Sequence, residues 1–294
     1  LAIGAAMIWL TTRFEIDLAQ PRVMGIVNVT PDSFSDGDPA RTPARALALC
    51  ERLLAEGADI LDLGGESSRP GALPVSIDEE LGRVLPVLRD ALSLGCPISV
   101  DTSKPEVMRA ALDSGADIVN DVSALRAPGA LEVVAGHPSC GVCLMHMRGT
   151  PHSMQSDTVY DDVVAEVVAF LRGRIAVLNR AGIASERIVV DPGIGFGKKA
   201  VQNFELLGRQ SELLAIGVPV LAGWSRKATL ARLAGVSATP REARSAAQRA
   251  TLDAASAAAA LLAIQGGASI VRVHDVAATV AALAVWKAAL AQRR

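Results

Sequence analysis

Asp101, Asn120, Asp191 and Lys227 each stand at the end of a short apolar run or a few residues beyond one. Two carboxylates and a carboxamide gathered in one place suit a flat heterocycle with paired N–H donors, because parallel N–H···O bonds fix the orientation of a ring. Lys227 adds a compact positive donor for a carbonyl or ring nitrogen of the same ligand. Two of these residues have a plainer use as well: Asp191 as a helix N-cap and Asn120 as a brace for a loop. A second set seeks anions. Arg69, Arg272 and His274 supply positive or switchable charge, and Ser67 and Ser68 supply hydroxyl donors. The segment GWSRK leads from a strand into a helix N-terminus, where phosphate or carboxylate is favoured. Asn28 and Asp36 offer oxygens to Mg2+, an ion that takes one or two protein oxygens together with substrate phosphates.

Two other motifs are weaker. Pro192–Lys198 reads PGIGFGK. It lacks the spacing of a P-loop and is not a G-x-G-x-x-G, so its glycines are read as allowing tight turns and close backbone approach. His137, Cys140, Cys143 and His146 recur every three residues like a zinc set. The run GVCLM between them reads as a strand, however, which sends side chains 143 and 146 to opposite faces. Cys143 is expected as a reduced core residue, and four cysteines in a chain of 294 residues as no disulfide framework.

The elements that would have to gather these residues form a repeating series. Short apolar strands are predicted over 23–28, 60–63, 98–100, 118–119, 142–145, 188–190, 219–222 and 270–273. Each is followed by a helical stretch, over 42–56, 77–94, 105–114, 128–135, 159–181, 204–216, an Ala-rich region reaching Gly266, and 277–290. Strands this short and this apolar are expected where both faces are covered. Eight βα units in series, without a linker or a shift in composition, fit an α/β chain folded as a single (β/α)8 TIM barrel. A short hairpin precedes it, giving an N-terminal extension over 1–22 and a barrel over 23–294. In such a barrel the C-terminal strand ends surround one mouth, and that is where Asn28, Glu66, Asp101, Asn120, His146, Asp191, Lys227, Arg272 and His274 fall.

Composition narrows the partners. A formal charge of −2 and the lack of a basic run interleaved with aromatics exclude a nucleic-acid surface. The apolar first ten residues are too few to span a bilayer and carry no basic n-region. The expectation is a cytoplasmic protein working on small molecules, neither on nucleic acid nor on a membrane. The stretch VMGIVNVTPDSFSDG, residues 23–37, runs from a buried strand ending at Asn28 into a segment rich in Pro, Asp, Ser and Gly with one aromatic, Phe34. That segment is read as a lid over the mouth.

With these residues in place the chain resembles the dihydropteroate synthases of bacterial folate synthesis. The matching blocks are GIVNVTPDSFSDG, DLGGESSRPGA, VDTSKPEVM, NDVSAL, LMHMRGTP, VDPGIGFGK, GWSRK and IVRVHDV, in that order over about residues 23–276. The resemblance implies a transferase that joins 6-hydroxymethyl-7,8-dihydropterin diphosphate to 4-aminobenzoate, releasing pyrophosphate. It places Asp101, Asn120, Met145, Asp191, Phe196, Gly223, Lys227 and Arg272 on the pterin. Asn28, Ser68, Arg69, Arg272 and His274 would hold the diphosphate, and Asn28 and Asp36 a Mg2+ ion. Phe34, Arg69, Pro70, Lys227 and Ala228 would form the aminobenzoate pocket. Asp101, Lys227, Arg272 and His274 are expected to carry the chemistry, an SN1-like displacement without a protein nucleophile. The resemblance also implies a homodimer and sensitivity to sulfonamides.

Three departures from the family pattern stand out: Ser68 in place of Thr, Ala228 in place of a hydroxyl residue, and a long seventh connection over 233–248 with SDGD in place of SDGG. Three rival readings use the same residues. A methyltetrahydrofolate:corrinoid methyltransferase-like barrel would share the pterin wall, a non-catalytic pterin-binding paralogue would keep it without turnover, and an aldolase-like barrel would use Lys227 as a Schiff base beside Arg226.

Overall fold

The computed structural model describes residues 7–30, 42–69, 71–239 and 243–292. The expected lid residues beyond Thr30, with Phe34 and Asp36, and also Pro70, lie outside the described residues. Two short antiparallel strands, β1 (Ile8–Leu10) and β2 (Glu15–Asp17), open the chain. Eight parallel strands follow: β3 (Arg22–Asn28), β4 (Ile60–Gly64), β5 (Ile98–Asp101), β6 (Ile118–Asp121), β7 (Gly141–Met145), β8 (Ile188–Asp191), β9 (Leu221–Ala222) and β10 (Ile270–Val273). They pair in the order β8-β7-β6-β5-β4-β3-β10-β9. A parallel bridge between Val190 and Val220 joins the two ends, closing the sheet into a barrel.

Between and after the strands run α1 (Thr42–Ala55), α2 (Ile77–Ala91), α3 (Pro105–Asp113), α4 (Ala130–Gly136), α5 (Val163–Arg180), α6 (Ala200–Gly208), α7 (Ala228–Leu233), α8 (Ala246–Gln265) and α9 (Val276–Ala291). The helices cover the outer faces of strands that are buried on both sides. Among the described residues no helix is long and apolar enough to cross a membrane.

Three helix boundaries differ from the sequence reading, each for a local reason. α5 starts at Val163 because the Asp162 carboxylate accepts from the backbone N–H groups of Val164 and Ala165, both at 2.9 Å. α6 starts at Ala200, ahead of Phe204, with the Gln202 side chain turned back onto the Lys199 N–H at 2.7 Å. The seventh Ala-rich region is two helices. α7 ends where Gly235 takes a φ of +70°, a left-handed stop that helical composition alone conceals. α8 begins after Ser245, whose hydroxyl accepts from Gln248 N–H.

The inside of the barrel is layered by the two-residue repeat of its strands. Met24, Ile60, Ile118, Cys143, Val189, Leu221 and Ile270 form an apolar floor. Two residues further along the same strands come Ile26, Asp62, Asn120, Met145, Asp191, Gly223 and Arg272. The polarity of the interior therefore changes within one repeat. Below the floor lies the hairpin. Trp9 is wholly buried against it with Ile16 and Leu18, and its indole N–H donates to the Arg187 carbonyl at 3.0 Å. Arg13 grips the buried Asp117 carboxylate (Nη2–Oδ2 2.6 Å), and Thr12 donates to the Ala116 carbonyl at 3.0 Å. Both anchors precede β6, so the hairpin seals the N-terminal end of the tube.

The His/Cys set is dispersed. Cys143 belongs to the floor. His137 Nδ1 accepts from the Cys140 N–H at 2.9 Å, and Cys140 Sγ lies 3.2 Å from the Arg187 guanidinium. His146 Nδ1 instead faces Lys198 at 2.9 Å. All four cysteines are buried free thiols.

Candidate active site

A cavity of about 720 Å³ opens at the C-terminal end of the barrel. Its lining includes every described residue of the expected site: Asn28, Ser68, Arg69, Asp101, Asn120, Met145, Asp191, Phe196, Gly223, Lys227, Ala228, Arg272 and His274. These positions span most of the chain in sequence, and the barrel gathers them because each lies near the C-terminal end of a strand or in the loop after it, at the same rim.

At the centre stands Arg272. Its Nε–H donates to Asp62 Oδ2 at 2.6 Å and its Nη2 to Asp101 Oδ2 at 2.7 Å. Asn120 Nδ2 donates to the same Asp62 oxygen at 3.2 Å. Burial works against the Arg272 charge, but Asp62 and Asp101 raise its pKa above the ordinary arginine value. Burial pushes the Asp101 carboxyl up to about 7, with Arg272 pulling it down and Asp62 pushing the same way as burial. Asp62 was not singled out in the sequence. The signal was there: a carboxylate in the middle of the apolar run ILDLG, where an unpaired charge is costly.

Asp191 is not the helix N-cap of its plainer reading, since α6 opens behind Lys199. Its Oδ1 accepts from the Gly193 N–H at 2.7 Å and fixes the turn after β8, while Oδ2 faces the cavity beside Gly223. Asp121, next to Asn120, is wholly structural, since its two oxygens accept from Ser123 and Leu125 N–H at 2.7 Å each. Lys227 Nζ lies 4.1 Å from the Phe196 ring centre, a cation–π contact on the cavity wall. Burial lowers its pKa to about 8, with Asp191 opposing and Arg272 adding to the fall. Arg226 is not a cause: its guanidinium pairs with Asp253 of α8 at 2.6 and 2.8 Å. That removes the basis offered for a Schiff-base lysine activated by Arg226.

The PGIGFGK turn is held from inside by its own lysine. Lys198 Nζ reaches His146 Nδ1 at 2.9 Å and the carbonyls of Gly193 and Phe196 at 2.9 and 3.0 Å. Burial lowers its pKa to about 7. Burial, aided by the Lys198 charge, also takes His146 down to about 2, so the imidazole is a neutral acceptor. Gly193 shows why the turn needs glycine: at φ +71°, a Cβ there would stand 1.9 Å from the His146 carbonyl oxygen. Val122, Met145, Met147, Met154 and Phe196 form an apolar cluster beside this turn, a greasy wall opposite the polar one.

His274 is set by Ser225. The hydroxyl accepts the backbone N–H of His274 at 3.0 Å and lies 2.9 Å from Nδ1. The hydroxyl holds the ring in place through Nδ1 and leaves Nε2 as the other ring nitrogen. At the second loop, Glu66 is tied to Lys104 at 2.8 Å and to the Val75 N–H at 2.9 Å, so it braces the loop. Ser225, Lys198 and Val122 were also missed in the sequence; only Lys198, at the end of a glycine run, carried a legible signal. Beside Ala228, the Thr229 hydroxyl accepts from Asn203 Nδ2 at 3.1 Å.

A barrel mouth with an acid–amide wall, an apolar wall and a bank of cations defines an enzyme for a flat, anion-tailed heterocycle. The family described as pterin binding enzyme matches residues 24–274, and the chain belongs to it. Its relatives include dihydropteroate synthases. The enzyme of Neisseria meningitidis serogroup B is 50% identical over 289 residues, 97% of this chain and 98% of that one. The solved dihydropteroate synthase of Xanthomonas albilineans with 4-aminobenzoic acid superposes at a TM-score of 0.88, with 50% identity over 98% of this chain and 99% of that one. The Burkholderia cenocepacia enzyme complexed with 7,8-dihydropteroate gives 0.86, with 45% identity and the same coverage of 98% and 99%.

Proposed function

We infer that the chain is a dihydropteroate synthase, condensing 6-hydroxymethyl-7,8-dihydropterin diphosphate with 4-aminobenzoate to give 7,8-dihydropteroate and pyrophosphate. The observation that carries this is the convergence of Asp101, Asn120 and Asp191 with Lys227, Arg272 and His274 on one cavity, in a chain related to such enzymes over nearly its whole length.

In this reading the pterin lies between the apolar wall of Val122, Met145 and Phe196 and the polar wall, its ring N–H groups donating to Asp191 and Asn120. Lys227 meets the carbonyl edge of the ring, and Gly223 leaves room beside Asp191. The exocyclic CH2–O bond breaks first. The electron pair leaves with pyrophosphate, and the cation left on carbon is spread over the electron-rich ring. Asp101 stabilises that charge through space, and Arg272 and His274 receive the departing anion with their N–H donors. The unprotonated amine of 4-aminobenzoate then forms the C–N bond and loses a proton. Aromatic amines are free bases near neutrality, so the protein contributes position more than general-base strength. Arg69, Lys227 and Ala228 border the space left for the acid, with Phe34 and Pro70 assigned to it from the sequence, and Ser68 stands with the diphosphate residues.

Mg2+ enters as part of the proposal. Among the described residues no cluster of three His, Cys, Asp or Glu could cage a metal. Asn28 lines the cavity with a neutral amide oxygen, which fits an ion held mainly by water and substrate phosphates. Asn28, with Asp36 from the sequence reading, would hold it, and when bound it neutralises charge on the leaving diphosphate.

Pyrophosphate release requiring both substrates tests the reading, with Asp101→Asn and Lys227→Ala each expected to abolish most of it. Release by the wild-type protein with neither dependence would overturn it, and complementation of a synthase-deficient strain separates it from a non-catalytic paralogue. The SN1-like course predicts exchange of the bridging diphosphate oxygen without aminobenzoate; absence of exchange would favour a concerted displacement. We further propose a cytoplasmic homodimer. Ala254, Ala258 and Leu262 of α8 and Ala281 and Val285 of α9 are exposed, a small-residue face suited to a two-fold contact. A monomer in sedimentation equilibrium at micromolar concentration would refute it.

A further inference from the structure

Asp62 sits on the inner face of β4, wholly buried, and is absent from the lining of the cavity. It can act on a ligand only through its neighbours. Its Oδ2 accepts from Arg272 Nε at 2.6 Å and from Asn120 Nδ2 at 3.2 Å. Arg272 extends from β10 across β3, which pairs with both β10 and β4, and its second bond goes to Asp101 of β5. Two of the five N–H donors of the guanidinium are thus engaged by carboxylates on adjacent strands, which fixes the plane of the fork.

The other oxygen, Asp62 Oδ1, is buried and has no hydrogen-bond partner among the described residues, and neither has the Ser99 hydroxyl, in register with it on β5. An apolar residue at 62 would relieve that unpaired atom. A buried polar group kept at a cost to packing marks a position held for function.

We propose that Asp62 is a positioning residue for the reaction: through one carboxylate oxygen it sets the plane of Arg272 and the rotamer of Asn120, and so the register between the ring end and the diphosphate end of the substrate. This rests on the dihydropteroate synthase reading. Asp62→Asn keeps the volume and removes the charge. In that variant kcat/KM for the dihydropterin diphosphate is expected to fall at least tenfold, while KM for 4-aminobenzoate stays within twofold. In an Arg272→Lys background the same substitution is expected to cost less than threefold more, because both changes loosen one fork. Wild-type kinetics in Asp62→Asn, or a loss that multiplies fully with that of Arg272→Lys, would overturn the proposal.

If Asp62→Asn does not fold, the wild-type protein decides. The Nε–H of Arg272 should give a resolved, slowly exchanging proton resonance with and without dihydropterin diphosphate, and a signal averaged with solvent in the free protein would overturn the proposal. A wild-type protein that releases no pyrophosphate would instead sink the functional reading, leaving the Nε–H signal to judge Asp62 alone.

Discussion

Replacing Lys198 by Met should change how stability depends on pH above neutrality, and by an amount that follows from its surroundings. The ammonium group is buried, and its folded-state pKa falls from 10.5 to about 7 because burial disfavours the charge. Between those values the unfolded chain holds a proton on Lys198 that the folded chain releases, so the wild type gains stability as pH rises. Below 7 both states are protonated and the penalty of the buried charge is fully present. The fall of 3.5 pH units, from 10.5 − 7, at 1.36 kcal/mol per unit sets a ceiling of about 5 kcal/mol. The usable window of pH 7 to 9 should yield about 2 kcal/mol of it. Met has nearly the same length and no proton, so groups remote from Lys198 cancel in the difference between the two proteins, while His146 and Lys227, which feel its charge, add smaller terms of their own. The assay is urea denaturation of wild type and Lys198→Met at pH 7, 8 and 9, compared as free-energy differences at equal m-values. The wild type should gain on the variant by more than about 1 kcal/mol per unit above pH 8. Parallel stability curves over this range would show that the group keeps an ordinary pKa among its three carbonyl and imidazole neighbours, and would refute the reasoning.

Other perturbations follow from contacts described above. Trp9→Ala removes the plug beneath the barrel floor and should cost about 3–5 kcal/mol, read as a lower melting temperature. Its kcat should stay near wild type below that temperature; a large loss of turnover in the folded variant would contradict the separation of floor and mouth. Gly193→Ala places a methyl group 1.9 Å from a carbonyl oxygen, so the turn must open, and KM for the pterin substrate should rise at least tenfold. Unchanged kinetics would show that the turn tolerates the shift. Ala228→Ser restores a hydroxyl at the start of α7 and should lower KM for 4-aminobenzoate about fivefold, the equivalent of about 1 kcal/mol, with a parallel gain in sulfonamide inhibition. No change in either would mean that the backbone and Thr229 already serve the carboxylate.

The barrel was legible because its strands are short, apolar and each punctuated by a polar residue at the same end. Asp101, Asn120, Asp191 and Arg272 could be chosen on that ground, and all four line one cavity. Asp62 is harder to see because it lies inside β4, two positions before the strand end, where the pleat points it at Arg272. Lys198 and His146 are separated by 52 positions, and nothing local announces that one lysine will tie two loops together. Ser225 stands two residues before Lys227 inside the GWSRK motif, and nothing local shows that its hydroxyl will hold the His274 ring. The split between α7 and α8 was hidden by alanine, which favours helix on both sides of Gly235 and gives no hint of the turn. Phe34, Asp36 and Pro70 remain statements about the sequence, since they lie outside the described residues.

The hairpin that closes the bottom of the barrel also governs traffic through it. With Trp9 and the apolar floor filling the lower half, the described residues leave ligands one door, at the mouth. A tube with one door serves its occupants in order of depth. The wall of Asp191, Asn120 and Arg272, proposed above to hold the ring, lies directly above the floor, and the space beside Ala228 and Arg69 lies at the rim. The pterin must therefore enter before the aminobenzoate, and an acid that arrives first stands in the doorway. Excess 4-aminobenzoate should accordingly slow the enzyme at low pterin concentration, a signature of queueing that comes from the closed end and needs no residue to enforce it.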